Sequence, residues 1–197
     1  TAGYFIKANK KMRRSRRLIS RIRRRASGRR FLDIGCNGGF MVEAAHENGF
    51  DAVGIELDPI SLEYAQRNFP DNEYFHGRVE EYQPIKPFDI VYCSEVVEHV
   101  SDSNSFISAA ARLMRPGALL YLTTPDISHW RRPNDISRWD AFCPPAHCIY
   151  FNPKNLTKLL SHHGLSVAQK RWAWKTCLLY TSPSPRDATK SRKPSSA

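Results

Sequence analysis

At 197 residues, 41% of them hydrophobic, the chain is long enough to bury one good core, and a single domain is the expectation. No apolar run approaches the roughly 20 residues of a membrane span, which excludes a transmembrane helix from this stretch, and no charged-then-apolar secretory pattern opens it. The net charge of +11 sits at the ends: residues 1–30 hold 13 Lys and Arg and no acid, residues 178–197 hold four bases and one acid, and the body between them has 13 bases against 18 acids.

Residues 1–30 read as a basic helical segment. Met12, Leu18, Ile19 and Ile22 fall loosely on one helical face amid arginines, and Ser27-Gly28 ends it. Two readings stand: a solvated helix that covers a sheet edge or a cleft, or an arm that binds nucleic acid or an anionic membrane through its charge. No aromatic residue interleaves with the arginines after Phe5, so stacking on bases is not supported.

The stretch FLDIGCNGGF, residues 31–40, organises the rest of the chain. A short apolar run breaks at Gly35-Cys36-Asn37-Gly38-Gly39 before a helix-like segment begins at Met41, which reads as strand, tight turn, helix. A backbone that turns from a parallel strand into a helix beside a ligand has no room for Cβ atoms and often needs positive φ. Glu56 closes the next strand-like run, AVGIE, 23 residues after Asp33. An acid about 20 residues past such a turn is placed to accept hydrogen bonds from ribose hydroxyls.

Asp58-Pro59 opens a helix with Leu62, Ala65 and Phe69 on one face, and residues 72–75 make a third short strand. Residues 88–93 are almost unbroken in apolarity, as a strand buried on both faces would be, and end in Ser94-Glu95 at the ligand-binding edge. Glu95 and His99 stand four apart and share a face if that stretch is helical. ALLYLTTP is a fifth strand, residues 126–149 are a long irregular lid with two tryptophans, and Asn152-Pro153 opens a helix with Leu156, Leu159 and Leu160 before a strand from Leu165.

Over residues 31–165 the chain resembles the class I S-adenosylmethionine-dependent methyltransferases, and within them the type related to ubiquinone-biosynthesis O-methyltransferases. FLDIGCNGGF resembles the first motif, GIELDP the acidic second-strand motif, FDIVYCSEVVEHV the fourth strand and its following segment, and LMRPGALLYLTTPD the fifth strand. The resemblance implies a Rossmann-like, doubly wound α/β fold with a mostly parallel sheet, S-adenosylmethionine as cofactor and a small-molecule methyl acceptor. It implies that Gly35, Cys36, Gly38 and Gly39 pass the methionine part, that Asp33 orders the loop or reaches the amino group, and that Glu56 holds the ribose. Leu57 would lie against adenine, with Ser94 and Glu95 below the methyl. Arg78 stands where many relatives carry Asp, so the adenine amino group is expected to meet the Val79 backbone or the Glu80 carboxylate. His147 and His99 are the candidate general bases.

The five cysteines form no disulfide framework, which suits a cytoplasmic protein, and Cys143, His147 and Cys148 lack a fourth zinc ligand, so no metal is expected. CLLYTSPSPRD resembles a translated sequencing adapter. The expected organisation is therefore a basic segment at 1–30, a methyltransferase domain at 31–176 truncated before the family's last strand, and a non-native tail at 177–197. Two other functions share some of these features: a nicotinamide-dependent oxidoreductase, and an RNA-directed or RNA-binding protein using the arginine-rich arm.

Overall fold

The computed structural model describes residues 7–25, 27–172 and 175–181. Seven strands form one sheet: β1 (Arg30–Ile34), β2 (Asp51–Glu56), β3 (Glu73–His76), β4 (Phe88–Ser94), β5 (Met114–Pro125), β6 (Ser166–Trp172) and β7 (Lys175–Thr181). Their order is β3-β2-β1-β4-β5-β7-β6, with β1 to β5 parallel and β7 antiparallel to both neighbours. Among the described residues five helices cover the sheet: α1 (Ala8–Arg23), α2 (Phe40–Glu47), α3 (Pro59–Asn68), α4 (Ser103–Arg112) and α5 (Pro153–His162).

Alternation along the central strands divides the core in two. Phe31, Ala52 and Ile90 pack with Met41, Val42 and Ala45 of α2 and with Ile19 and Ile22 of α1. Their neighbours Leu32, Val53 and Val91 face the other way, onto Phe106 and Ala110 of α4 and Leu156 and Leu160 of α5. Because side chains alternate with period two, each inner strand is apolar on both faces, which is why β1, β4 and β5 read as continuous runs.

The basic helix lies on α2. Ser15, Ile19 and Ile22 are buried, Met12 and Leu18 are partly buried beside them, and Arg16 pairs with Glu47 through both carboxylate oxygens. Its apolar face is thus spent on the domain, while Arg13, Arg14, Arg17 and Arg21 stay exposed.

Asp89 of β4 fixes the way into β1. Its Oδ2 accepts from the backbone N–H groups of Arg29 and Arg30, both at 2.8 Å, and Arg115 reaches across to it and to the Ser27 carbonyl.

The sequence suggests that the family's last strand is missing, and the outer edge of β5 is paired all the same. Residues 175–181, five of which the sequence places in a non-native tail, form β7 between β5 and β6. Without β7, the outer edge of β5 would present a row of unpaired N–H and C=O groups, and TCLLYT is β-prone and apolar enough to pair with it regardless of origin. The rest of that tail, residues 182–197, lies outside the described residues.

Helix α5 begins with a capping box: the Asn152 side chain accepts from the Lys154 and Asn155 N–H groups, and Asn155 accepts in return from the Asn152 N–H. Asn152→Ala is expected to lower stability by about 1 kcal/mol, measured as a fall in the urea midpoint at unchanged slope.

Candidate active site

Strand order reverses between β1 and β4, and the crevice outside the carboxyl ends of strands at such a switch point is where open α/β sheets take ligands. Ile34, Glu56, Ser94 and Pro125 are the last residues of four strands at that edge.

The glycine turn after β1 is tied to both neighbours. The N–H groups of Gly35 and Cys36 donate to the Ile55 carbonyl at 2.9 and 3.0 Å. Gly35 has φ of 74°, and a Cβ there would stand 2.5 Å from Val96 Cγ2, so the turn lies against the segment after β4. Asn37 also adopts a left-handed backbone, φ 49°, and its Oδ1 accepts the Gly38 N–H at 2.9 Å. Asparagine tolerates this conformation because its short side chain bonds locally.

Glu56 is the clasp of this turn. One carboxylate oxygen accepts the Asn37 N–H at 2.7 Å and the other accepts those of Leu57 and Asp58, each at 2.8 Å. Asp33 lies behind it, 3% exposed, and burial together with the charge of Glu56 pushes its carboxyl well above the ordinary carboxylate range. The buried Cys36 thiol is pushed up by the same burial and by both acids. Leu57 is 63% exposed and offers apolar surface beside the clasp. Gly38 and Gly39 are buried at the start of α2, whose first turn has no side-chain cap.

At the ends of β4 and β5 a hydroxyl chain holds the acids. Thr123 donates to Glu95 at 3.0 Å, so the 2.7 Å contact between Thr123 and Ser94 has Ser94 as donor. Glu95 has φ of 59°, a left-handed backbone on a residue that gains nothing locally from it, and its N–H donates to the Thr123 carbonyl at 2.9 Å. Strain of this kind clusters at functional sites.

Glu98 is 1% exposed; Oε2 accepts from Thr124 at 2.9 Å, while Oε1 is buried with no partner among the described residues. Desolvation is the main reason its carboxyl is raised above the usual range. His99 and His147 stand edge to face with ring centroids 4.6 Å apart, and each donates from Nδ1 to a carbonyl at 2.7 Å, His99 to Ala146 and His147 to Ala141. A carbonyl only accepts, so Nδ1 is a donor in both rings, which leaves Nε2 as the nitrogen that faces away from these carbonyl contacts. One donor atom from each of Glu98, His99 and His147 lies within 4.8 Å of the others. The sequence suggests no metal, and this grouping of two imidazoles with a buried carboxylate is one whose atoms could hold a cation.

The model of a methyltransferase domain family matches residues 6–170. The chain belongs to that family. Among its relatives, the ubiquinone biosynthesis O-methyltransferase of Paracidovorax citrulli (strain AAC00-1) is 39% identical over 104 residues, which is 49% of this chain and 44% of that protein. The chain thus spans about half the length of the curated relatives it matches. Among solved structures, an S-adenosylmethionine-dependent methyltransferase from Clostridium acetobutylicum ATCC 824 superposes with TM-score 0.71 at 11% identity, covering 92% of this chain and 97% of that one. Magnesium protoporphyrin IX methyltransferase from Synechocystis PCC 6803, with bound SAM, gives 0.65 at 15% identity over 86% and 78% of the two chains. At these identities the likeness is one of fold.

In this methyltransferase domain the sequence-derived site falls into three groups. Asp33, Gly35, Cys36, Gly38, Gly39, Glu56 and Leu57 gather around the β1 turn, and Ser94, Glu95, His99 and His147 gather beyond β4 and β5. Val79 and Glu80 follow β3, where the Gly77 N–H donates to the Glu56 carbonyl at 3.1 Å: Val79 is 3% exposed within the core, and Glu80 pairs with Arg78 at 3.6 Å beside a groove bordered by Gln83, Arg112 and His163. The expected helix carrying Glu95 and His99 is a turn, and the next helix begins at Ser103, capped by Asp102. Of the two lid tryptophans, Trp139 packs on Tyr150, whereas Trp130 is 79% exposed. Sequence reading misses Glu98, Thr123 and Thr124; the signal for them is polar residues interrupting apolar runs at the ends of β4 and β5.

Proposed function

We propose that this chain is an S-adenosylmethionine-dependent methyltransferase acting on a small-molecule acceptor, with transfer to oxygen favoured. The observation that carries the reading is the pair of carboxylates, Asp33 and Glu56, flanking a left-handed glycine turn at the switch point of the sheet. Two acids that disfavour each other's charge form a site for a positively charged ligand. An ammonium and a sulfonium on one molecule supply that charge, and the ribose hydroxyls supply donors for Glu56. The O-methyltransferase relatives support oxygen as the accepting atom.

S-adenosylmethionine brings a methyl already activated on sulfur, so an acceptor lone pair displaces it and the C–S electron pair leaves with the sulfur. The protein's part is to align and to dry the site. Asp33 holds the amino group, Glu56 the ribose and Leu57 one face of the adenine, with the backbone of Val79 or the carboxylate of Glu80 at its rim. The first turn of α2, which has no side-chain cap, would stand toward the cofactor's carboxylate. Ser94 and Glu95, fixed through Thr123, would line the side of the site where the methyl is transferred. His147 and His99 are the candidate general bases, and one of them would take up the hydroxyl proton at Nε2. Among the described residues no helix is long and apolar enough to cross a membrane. Cys36, Cys93, Cys143 and Cys148 are free thiols, which suits a cytoplasmic setting.

The pH dependence of cofactor binding tests the carboxylate pair. In the free site Asp33 keeps its proton above the ordinary carboxylate range, roughly pH 4. A bound cation stabilises the ionised form and lowers that value, so binding releases a proton. Affinity is therefore expected to rise with pH from the ordinary range up to the elevated value, and then to level off. Calorimetry in buffers of different ionisation enthalpy reads the proton release, and Asp33→Asn abolishes the rise. Affinity that is flat with pH in the unaltered protein would refute the pairing.

A further inference from the structure

The cations of α1 that packing does not use collect on one side of the helix. With about 3.6 residues per turn, Lys10, Arg13, Arg14, Arg17 and Arg21 fall within roughly 100° of its surface, in a row about 16 Å long. Among the described residues none of the five forms an ion pair, whereas Arg16 is held by Glu47 and Arg23 lies over the Phe50 ring. Together with Leu18 and with Tyr121 of β5, they border a groove of about 600 Å³ that no acidic residue lines. The Tyr121 wall is fixed, because its ring stacks on Tyr92 with centroids 5.1 Å apart and Tyr92 stacks in turn on Phe31. Like charges three and four residues apart on a helix repel, so this row carries a cost that an anion in the groove relieves.

We propose that the groove between α1 and Tyr121 binds a soluble small molecule that carries several linked phosphates. Its volume lies within the range of about 300–1,000 Å³ that small-molecule sites occupy, but its lining is basic where such linings are mostly apolar, which selects a multiply charged ligand. Guanidinium groups match phosphate oxygens two at a time, and arginines three or four apart stand about 5–6 Å from each other, so neighbouring ones meet neighbouring phosphates of one ligand. A bilayer is a poorer occupant: the apolar face of α1, with Ile19 and Ile22, is buried on the domain, and the helix has no such face left to lay into lipid. A nucleic-acid strand is poorer too, because no aromatic residue stands among the five cations and Tyr121 is stacked on Tyr92 instead of on a base. Tyr92 and Tyr121 precede Ser94 and Thr123 by two residues on the same strand faces. The groove therefore adjoins the hydroxyl chain of the candidate active site without sharing a residue with it, and the inference does not rest on the methyl-transfer reading.

Calorimetric titration of the full chain with sodium tripolyphosphate is expected to show one equivalent bound, with an affinity that falls as salt is added. Inorganic phosphate should bind at least about tenfold more weakly, since it meets fewer of the guanidinium groups. Replacing Arg14→Gln and Arg17→Gln together should weaken tripolyphosphate binding about tenfold or more. Arg24→Gln with Arg25→Gln removes the same charge from exposed positions outside the groove and should change it by no more than about twofold. Circular dichroism checks that both variants are folded. Absence of tripolyphosphate binding overturns the site, and equal losses in the two variants overturn it as well, by showing a charge effect of the whole segment. Equal affinity for inorganic phosphate overturns the requirement for linked phosphates. A single-stranded RNA oligonucleotide, or vesicles of phosphatidylcholine with phosphatidylglycerol, should displace tripolyphosphate no better at equal phosphate concentration. Displacement by either at a much lower concentration would make the occupant a nucleic acid or a membrane and overturn the small ligand.

Discussion

Glu56→Ala is expected to weaken S-adenosylmethionine binding by roughly 2–4 kcal/mol, on the order of thirtyfold to a thousandfold in Kd, the worth of two hydrogen bonds to a charged acceptor. The loss has two sources. The ribose loses its carboxylate, and the N–H groups of Asn37, Leu57 and Asp58 lose the oxygens that now hold the turn against the end of β2. Glu56→Gln separates them, because it keeps one acceptor oxygen for the backbone while replacing the other with an NH2 that cannot accept. If the alanine variant unfolds at lower temperature yet binds the cofactor normally, Glu56 is a clasp alone and the ribose has been assigned to the wrong residue.

Gly35→Ala is expected to destabilise the fold by about 2–5 kcal/mol through two separable terms. A left-handed backbone costs an L residue roughly 1–2 kcal/mol, and Gly35 has φ of 74°. The added Cβ would also stand 2.5 Å from Val96 Cγ2, and a stiff β-branched neighbour resists turning away, at an overpacking cost of about 1–3 kcal/mol. Pairing Gly35→Ala with Val96→Ala should restore the second term and leave the first, which urea unfolding of the four proteins in the cycle would read. A double variant no more stable than expected from adding the two single effects would mean that the turn does not rest on Val96.

Most of the parallel sheet is legible in the sequence because its strands are buried on both faces. β1, β4 and β5 announce themselves as apolar runs, and the turn between Ile34 and Phe40 announces itself by glycines that no packed strand or helix would keep. Glu56 is legible by its distance from that turn. The features that escape depend on contacts between segments far apart in the chain. Nothing local to Val96-Val97-Glu98-His99 says that it turns instead of coiling, since its apolar spacing suits a helix; its contacts are with the returning lid, whose Cys148 and Ile149 N–H groups donate to the Glu98 carbonyl. Glu98 reads as one more surface acid until Thr124 and the returning lid bury it. The pairing of residues 175–181 with β5 is not legible in the sequence, because strand addition at an open edge depends on backbone groups and apolarity more than on ancestry.

Titrating the purified chain by calorimetry with S-adenosylmethionine, and separately with NAD, tests the central claim most directly. The arrangement of Asp33, Glu56 and the left-handed turn calls for one equivalent of the sulfonium compound bound with proton release, and for no comparable heat from NAD. Tight NAD binding with none for S-adenosylmethionine would contradict it.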